Sequence, residues 1–231
     1  MKSLIFISLL LASSSALASH NRFWIGYKKE SLATDKFLNG LNVFFKETVT
    51  LGAGKGLVSY QPYITQMKGD TPDEIALVTY ENEEKYKAIR GTPEGKQYGE
   101  RHWDFFEKEK SKSTVPTLFA GTLSNNGAYE LSSDFSEWQG NVTYVVLYKN
   151  QTSDLATLAQ EFESLKKSKD LNNSIILITD KFVYEYRSMK KKSKITPLAL
   201  PVVEMKRLPG FEIGNFPVTG FGEGINFRFS K

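Results

Sequence analysis

The sequence predicts an α+β protein built from two tandem β-α-β-β units, and three observations carry that expectation. Short runs rich in aromatic and β-branched residues alternate with segments whose apolar residues recur at spacings of three and four. The order strand, helix, strand, strand occurs twice, on either side of a polar stretch rich in Asn, Gly and Ser. Finally, the 231-residue chain contains no cysteine, so its stability must come from buried cores rather than disulfides.

Residues 1–18 stand apart from this pattern. Lys2 gives a short basic start, Leu4 to Leu11 an apolar run, and Ala16-Leu17-Ala18 a small-x-small cleavage site. Cleavage after Ala18 and export as a periplasmic or secreted bacterial protein are expected. The run is too short, and too serine-rich at its end, to span a bilayer. No cysteine follows it that could carry a lipid. No stable membrane anchor is therefore expected.

The first unit is expected over residues 19–123. Arg22 to Lys28 reads as a strand. Thr34 and Asp35 open an amphipathic helix whose apolar positions are Phe37, Leu38, Leu41, Phe44 and Phe45, and Gly52-Ala53-Gly54 closes it. Leu57 to Thr65 and Glu74 to Tyr80 are the next strands, joined by the turn-forming segment MKGDTPD. Asn82 caps a short helix over Glu83 to Arg90. Thr92-Pro93-Glu94 then opens another that should run to about Lys108, with proline at the first helical position and an acid facing the positive helix end. A closing strand is expected within Val115 to Leu123.

Residues 124–140 read as a linker, and the second unit occupies 141–231. Val142 to Lys149 is a strand, and Ser153 caps a helix carrying Leu155, Leu158, Phe162 and Leu165 on one face. Ser174 to Thr179 and Lys181 to Arg187 follow as strands. Tyr27-Lys28 falls on Tyr148-Lys149, which suggests an internal duplication. After Ile195 the second unit loses its second helix. Its tail, with Pro197, Pro201, Pro209 and Pro217, is expected to be extended and irregular, ending in the strand-like INFRFS.

Composition excludes several function classes. A net charge of +4 is mild, and the basic residues are dispersed except for Arg187, Lys190, Lys191, Lys192 and Lys194, which read as a solvated loop or strand end. Together with export, this argues against nucleic-acid partners. LGAGKG (Leu51 to Gly56) and GFGEG (Gly220 to Gly224) each precede a strand, whereas a phosphate loop must lead into a helix; both read as turns. Only two histidines exist, His20 and His102, and His20 would lie in a loose mature N-terminus. A zinc site lacks ligands, and no GxSxG elbow supports a serine hydrolase.

The segment TPEGKQYGERHWDFFEKEK, residues 92 to 110, is the informative one. At the helical step of about 100° per residue, Tyr98, Gly99, Phe105 and Phe106 share the face of His102, while the charged residues take the sides and back. A histidine there must find a hydrogen-bond partner. It is then a core residue satisfied by a carbonyl, a proton-transfer group lining a cavity beneath the sheet, or a haem ligand. The sequence leaves all three open.

The order β-α-β-β-α, with a compact aromatic helix after TPEG carrying a histidine, resembles the dimeric α/β-barrel superfamily of ferredoxin-like domains. That superfamily includes antibiotic-biosynthesis monooxygenase-like, EthD-like and NIPSNAP-like domains. The resemblance covers residues 22 to 120, with a weaker second copy from 141 to 188. It implies two ferredoxin-like sheets forming one barrel, which a tandem chain can build from its own halves as a pseudo-dimer. It also implies a small organic ligand between sheet and helices. The Asn-Trp-His arrangement of haem-degrading members has no counterpart, since His102 adjoins Trp103 but no asparagine is placed to match.

The resulting expectation is a protein that binds a small apolar or aromatic molecule, as a cofactor-independent monooxygenase or isomerase. His102 would transfer protons, and Tyr27, Tyr60, Tyr98 and Trp103 would line the ligand. No cofactor is required, and haem stays open only through the third role of His102. The alternative is a non-catalytic interaction module, and either could oligomerise.

Overall fold

The computed structural model describes residues 19–65, 69–134, 138, 142–151, 154–191 and 194–208. In the first unit, β1 (His20–Gly26), α1 (Thr34–Gly52), β2 (Leu57–Ile64) and β3 (Glu74–Tyr80) lead into α2 (Glu83–Gly91), α3 (Pro93–Phe105) and β4 (Lys112–Thr114). After β5 (Thr117–Leu118) and β6 (Ala128–Glu130) come β7 (Val142–Lys149), α4 (Leu155–Ser164), β8 (Leu171–Ile178), β9 (Phe182–Met189) and β10 (Val202–Leu208). The first sheet has strand order β2-β3-β1-β4. The second has order β10-β7-β9-β8-β6-β5. Four strands of the second therefore repeat the order of the first, with each unit's closing strand beside its opening one. This is the tandem ferredoxin-like α+β arrangement.

Strand alternation divides each sheet into two faces. Phe23, Ile25, Tyr63, Ile75 and Leu77 of the first sheet meet Val145, Leu147, Ile175, Tyr184 and Tyr186 of the second in one shared core. Each fully buried side chain of this size contributes about 1.5–3 kcal/mol, so the shared core holds the halves together. Polar contacts fix their register. The Tyr186 hydroxyl donates to the Gln61 carbonyl at 2.8 Å, and Tyr63 donates to Glu204. On the outer face of the first sheet lie α1 and α3, packed through Phe37, Leu41, Phe44, Phe45 and Phe106. Helix α4 covers the second through Leu158, Ala159 and Phe162.

Several expectations change. The strand closing the first sheet is Lys112–Thr114, paired with β1, and not a strand within Val115–Leu123. Pro116 lacks an N–H for continuing the ladder, and the chain crosses there to place Thr117–Leu118 in the second sheet. Within the expected linker, Ala128–Glu130 pairs with β8. Helix α3 stops short of Lys108, because Lys28 and Phe106 form a β-bridge and the Glu107 amide donates to the Tyr27 carbonyl at 2.7 Å. In the second unit the missing helix is replaced by an extended segment bearing the buried Ile195 and Leu198, and Val202–Leu208 supplies a closing strand.

The pairing of Tyr27 with Tyr148 does not survive the pleat. Tyr27 packs on the core between the sheets, whereas Tyr148 faces α4. His20 is no loose end: it opens β1 opposite Tyr80, 8% exposed, with its ring 4.9 Å from that of Tyr86. Nor is Arg187 part of a solvated basic run, being buried beside Glu185 at 2.6 Å. For α4, Asp154 accepts from the Ala156 amide at 2.9 Å. The expected cap Ser153 lies outside the described residues, as do the leader 1–18, GFGEG and INFRFS.

Candidate functional site

A cleft of about 420 Å³ opens between the outer face of the first sheet and helices α1 and α3. Its floor follows from register. Trp24 lies opposite Ala76 and Arg22 opposite Val78, and alternation puts Glu74 on the same side of β3. The small Ala76 leaves space above the middle of the sheet. Tyr60 of β2 completes the floor, Phe44 and Thr48 come from α1, and Tyr98, His102 and Trp103 come from α3. Helices α1 and α3 approach closely because Gly40 has no side chain. A Cβ there would sit 2.1 Å from a Phe105 ring carbon.

His102 is half-buried and flanked by aromatic rings. Phe44 lies 4.5 Å away edge-on, Tyr98 5.0 Å and Trp24 5.1 Å between centroids. Its Nδ1 lies 3.1 Å from the Tyr98 carbonyl. A carbonyl can only accept, so Nδ1 carries the proton and Nε2 keeps its lone pair. Burial lowers the imidazole pKa to about 4, against a weaker opposing effect of the Tyr98 carbonyl. At pH 7 the ring is a neutral base.

Glu74 is the reverse case. It is 2% exposed, and the Trp24 Nε1 donates to its Oε2 at 3.1 Å. Burial pushes its pKa up to about 8, with the indole hydrogen bond pulling weakly the other way. Glu74 is therefore mostly a neutral carboxylic acid at pH 7. Two titratable groups displaced in opposite directions within one cleft make an acid and a base available together.

The cleft also holds a hydroxyl cluster. Tyr98 stacks on Phe44, centroids 4.5 Å apart, and its hydroxyl is 2.5 Å from Thr48 Oγ1. The Tyr60 hydroxyl also bonds Thr48, and burial raises both phenol pKa values, so both tyrosines stay protonated.

The structure thus brings together His102, Tyr60, Tyr98 and Trp103. Tyr27 is not among them: it sits between the sheets, hydrogen-bonded to Tyr184. Sequence reasoning missed Glu74, Trp24 and Thr48. One signal was available for Glu74: an acid in EIALVTY that shares its pleat face with Ala76 and Val78. The residues do not fit haem as a ligand of His102. Rings of Trp24, Phe44 and Tyr98 stand about the imidazole and crowd the approach of a macrocycle.

No family model and no curated protein matches the chain. Among solved structures, it is similar to a candidate monooxygenase from Fusobacterium nucleatum at 9% identity, covering 86% of this chain and 98% of that one, with a TM-score of 0.43. An anthrone oxidase-like protein is matched at 11% identity over 82% of this chain and 93% of the other, TM-score 0.41. A dimeric protein of unknown function and ferredoxin-like fold from Bacteroides fragilis is matched at 13% identity over 43% of this chain and 96% of that one, TM-score 0.35. The chain is similar to structures of the antibiotic-biosynthesis monooxygenase-like, ferredoxin-like kind.

Proposed function

We propose that the protein binds a small, largely apolar aromatic molecule in this cleft and moves a proton on it without a cofactor. One observation carries the reading: Glu74 as a neutral acid and His102 as a neutral base line the same cleft, beside the rings of Trp24, Phe44 and Tyr98. In an enolisation, His102 Nε2 takes the proton from carbon beside a carbonyl. The Glu74 carboxyl donates its hydrogen bond to the carbonyl oxygen, where negative charge develops. Return of the proton to another carbon completes an isomerisation. The same electron-rich enolate is the species that dioxygen oxidises: a CH2 becomes C=O, with the second oxygen leaving as water. In this role His102 and Glu74 carry protons, Tyr60 and Tyr98 donate hydrogen bonds, and Trp103 forms a wall.

The test is deuterium exchange into 2-tetralone, an enolisable bicyclic ketone, followed by NMR at pH 7. The wild type should accelerate exchange over buffer, and His102→Phe and Glu74→Gln should lose the acceleration while remaining folded. If no exchange is seen and His102→Phe changes only the melting temperature, His102 is a packing residue and the non-catalytic module is the better description.

Export is part of the same proposal, supported by the tripartite composition of residues 1–18. Protein recovered from the periplasm or medium should begin at Ser19 by mass spectrometry. Full-length chain confined to the cytoplasm would refute export.

A further inference from the structure

The two ends of the cleft differ in chemistry. Glu74 lies opposite Gly26 and Val78 lies opposite Arg22, so the acid and the arginine are four residues apart along the paired strands. At the strand rise that is about 13 Å. The pattern of influence agrees. The Glu74 carboxyl responds to burial and to Trp24, whereas the Tyr80 hydroxyl, which burial pushes up to about 12, is pulled back by both Arg90 and Arg22. The two arginines therefore share the end away from Glu74, and because Arg90 also helps lower the His102 pKa, the imidazole lies between the two ends.

Neither arginine forms an ion pair within 4.0 Å among the described residues, Arg22 being only the weakest of the influences that lower the Glu83 pKa. Two other arginines that are half-buried or buried do. Arg101 pairs with Glu47 at 2.5 Å and Arg187 with Glu185 at 2.6 Å. Arg22 and Arg90 instead lie on aromatic faces, Arg22 4.5 Å from the Tyr86 centroid and Arg90 5.7 Å from that of Tyr98. Arg90 reaches across α3 because Gly99 has no side chain: a Cβ there would be 1.8 Å from Arg90 Nη2. A guanidinium over a ring face makes no hydrogen bond to it, and the N–H fork of a guanidinium matches the two oxygens of a carboxylate.

Resting on the reading of the cleft as a small-molecule site, we propose that its ligand is a planar hydroxyaromatic carboxylate of about two or three fused rings. The carboxylate lies at Arg22 and Arg90, the hydroxyl or keto group at the opposite end reaches Glu74, and His102 flanks the rings between them. The ring system occupies the apolar middle, between Ala76 and Val78 below and Phe44 and Tyr98 above. This arrangement orients the ligand, because reversing it would place a carboxylate beside a buried acid and leave two cations unpaired.

The probe is 6-hydroxy-2-naphthoate, whose charge and hydroxyl sit at opposite ends of two fused rings. Its methyl ester keeps the rings and hydroxyl and removes the charge. Titration calorimetry at pH 7 should show the acid binding the wild type at least about tenfold more tightly than the ester, the scale of one charge-assisted hydrogen bond. In Arg22→Gln and Arg90→Gln, checked for folding by thermal unfolding, that preference should shrink or vanish, with acid binding weakened more than ester binding. Should the ester bind the wild type as tightly as the acid, the arginines do not read charge and this inference fails, while the cleft reading stands. If neither compound binds at millimolar concentration, both readings fail. A variant that does not fold leaves the wild-type comparison as the deciding result.

Discussion

Trp24 Nε1 donates a hydrogen bond of 3.1 Å to Glu74 Oε2, and the same indole meets His102 edge-on with centroids 5.1 Å apart. One side chain thus touches both the acid and the base. The bond favours the ionised form of Glu74, though burial outweighs it. Trp24→Phe should therefore raise the Glu74 pKa above about 8. It should cost about 1–3 kcal/mol of stability through lost volume and a lost hydrogen bond. Infrared titration of the buried carboxyl, with denaturant unfolding alongside, measures both. A carboxyl that titrates where it did before would show that the indole does not hold the ionised form.

Gly99 is predicted to matter for its missing side chain rather than its flexibility. In the middle of a helix, Gly99→Ala gains up to about 1 kcal/mol in propensity. Against that, the new methyl must push away Arg90 Nη2. Because this is the tip of a flexible side chain, the arginine should swing off Tyr98 at little cost. Stability should stay within about 1 kcal/mol of the wild type, while preference for the naphthoate over its ester falls as in Arg90→Gln. Retention of full preference would mean that Arg90 takes no part in binding.

The fold was largely legible because it depends on local patterns. The period of α1, the Thr92-Pro93 start of α3 and the alternation in β1 and β3 each report one element. The site was legible only where one element reported it, as with Tyr98, His102 and Trp103 on a single helix face. Glu74 and Trp24 meet through strand pairing between residues 50 apart, and no local pattern encodes that contact. Tyr27 was misplaced because its face depends on where the pleat stops after Gly26. The strand endings Lys112–Thr114 and Ala128–Glu130 are three residues long, too short to show alternation.

The second half offers a test of buried charge. The Arg187 Nε bonds Glu185 at 2.6 Å, Nη1 donates to the Thr196 carbonyl at 2.8 Å, and the Tyr148 hydroxyl reaches the other Glu185 oxygen at 2.7 Å. Glu185→Leu leaves the guanidinium buried without a counter-ion and should cost about 3–5 kcal/mol. Glu185→Leu combined with Arg187→Met removes both charges and should recover a large part of that loss. Urea unfolding of the wild type, both single variants and the double variant closes the cycle. A double variant less stable than the Glu185→Leu single would show that the ion pair is not what makes the single costly.

The opposite displacements of Glu74 and His102 also predict an unusual dependence of stability on pH. For Glu74 the folded pKa is raised to about 8 from an ordinary 4.5. Between those values the unfolded chain releases a proton that the folded one keeps, so stability falls as pH rises. For His102 the folded pKa is lowered to about 4 from 6.5, so the unfolded chain binds the extra proton and stability rises with pH across that window. The two effects oppose each other from about pH 4.5 to 6.5. Above pH 6.5 only Glu74 continues to act, and stability should decline by at most about 2 kcal/mol up to pH 8. Glu74→Gln should abolish that alkaline decline and uncover the rise due to His102 at lower pH. His102→Phe should do the reverse, extending the decline down to about pH 4.5. Denaturant unfolding of the three proteins at half-unit steps from pH 4 to 9 measures this. An alkaline decline that persists unchanged in Glu74→Gln would mean that Glu74 is ionised in the folded protein at neutral pH, and the cleft would then hold a carboxylate instead of a proton donor.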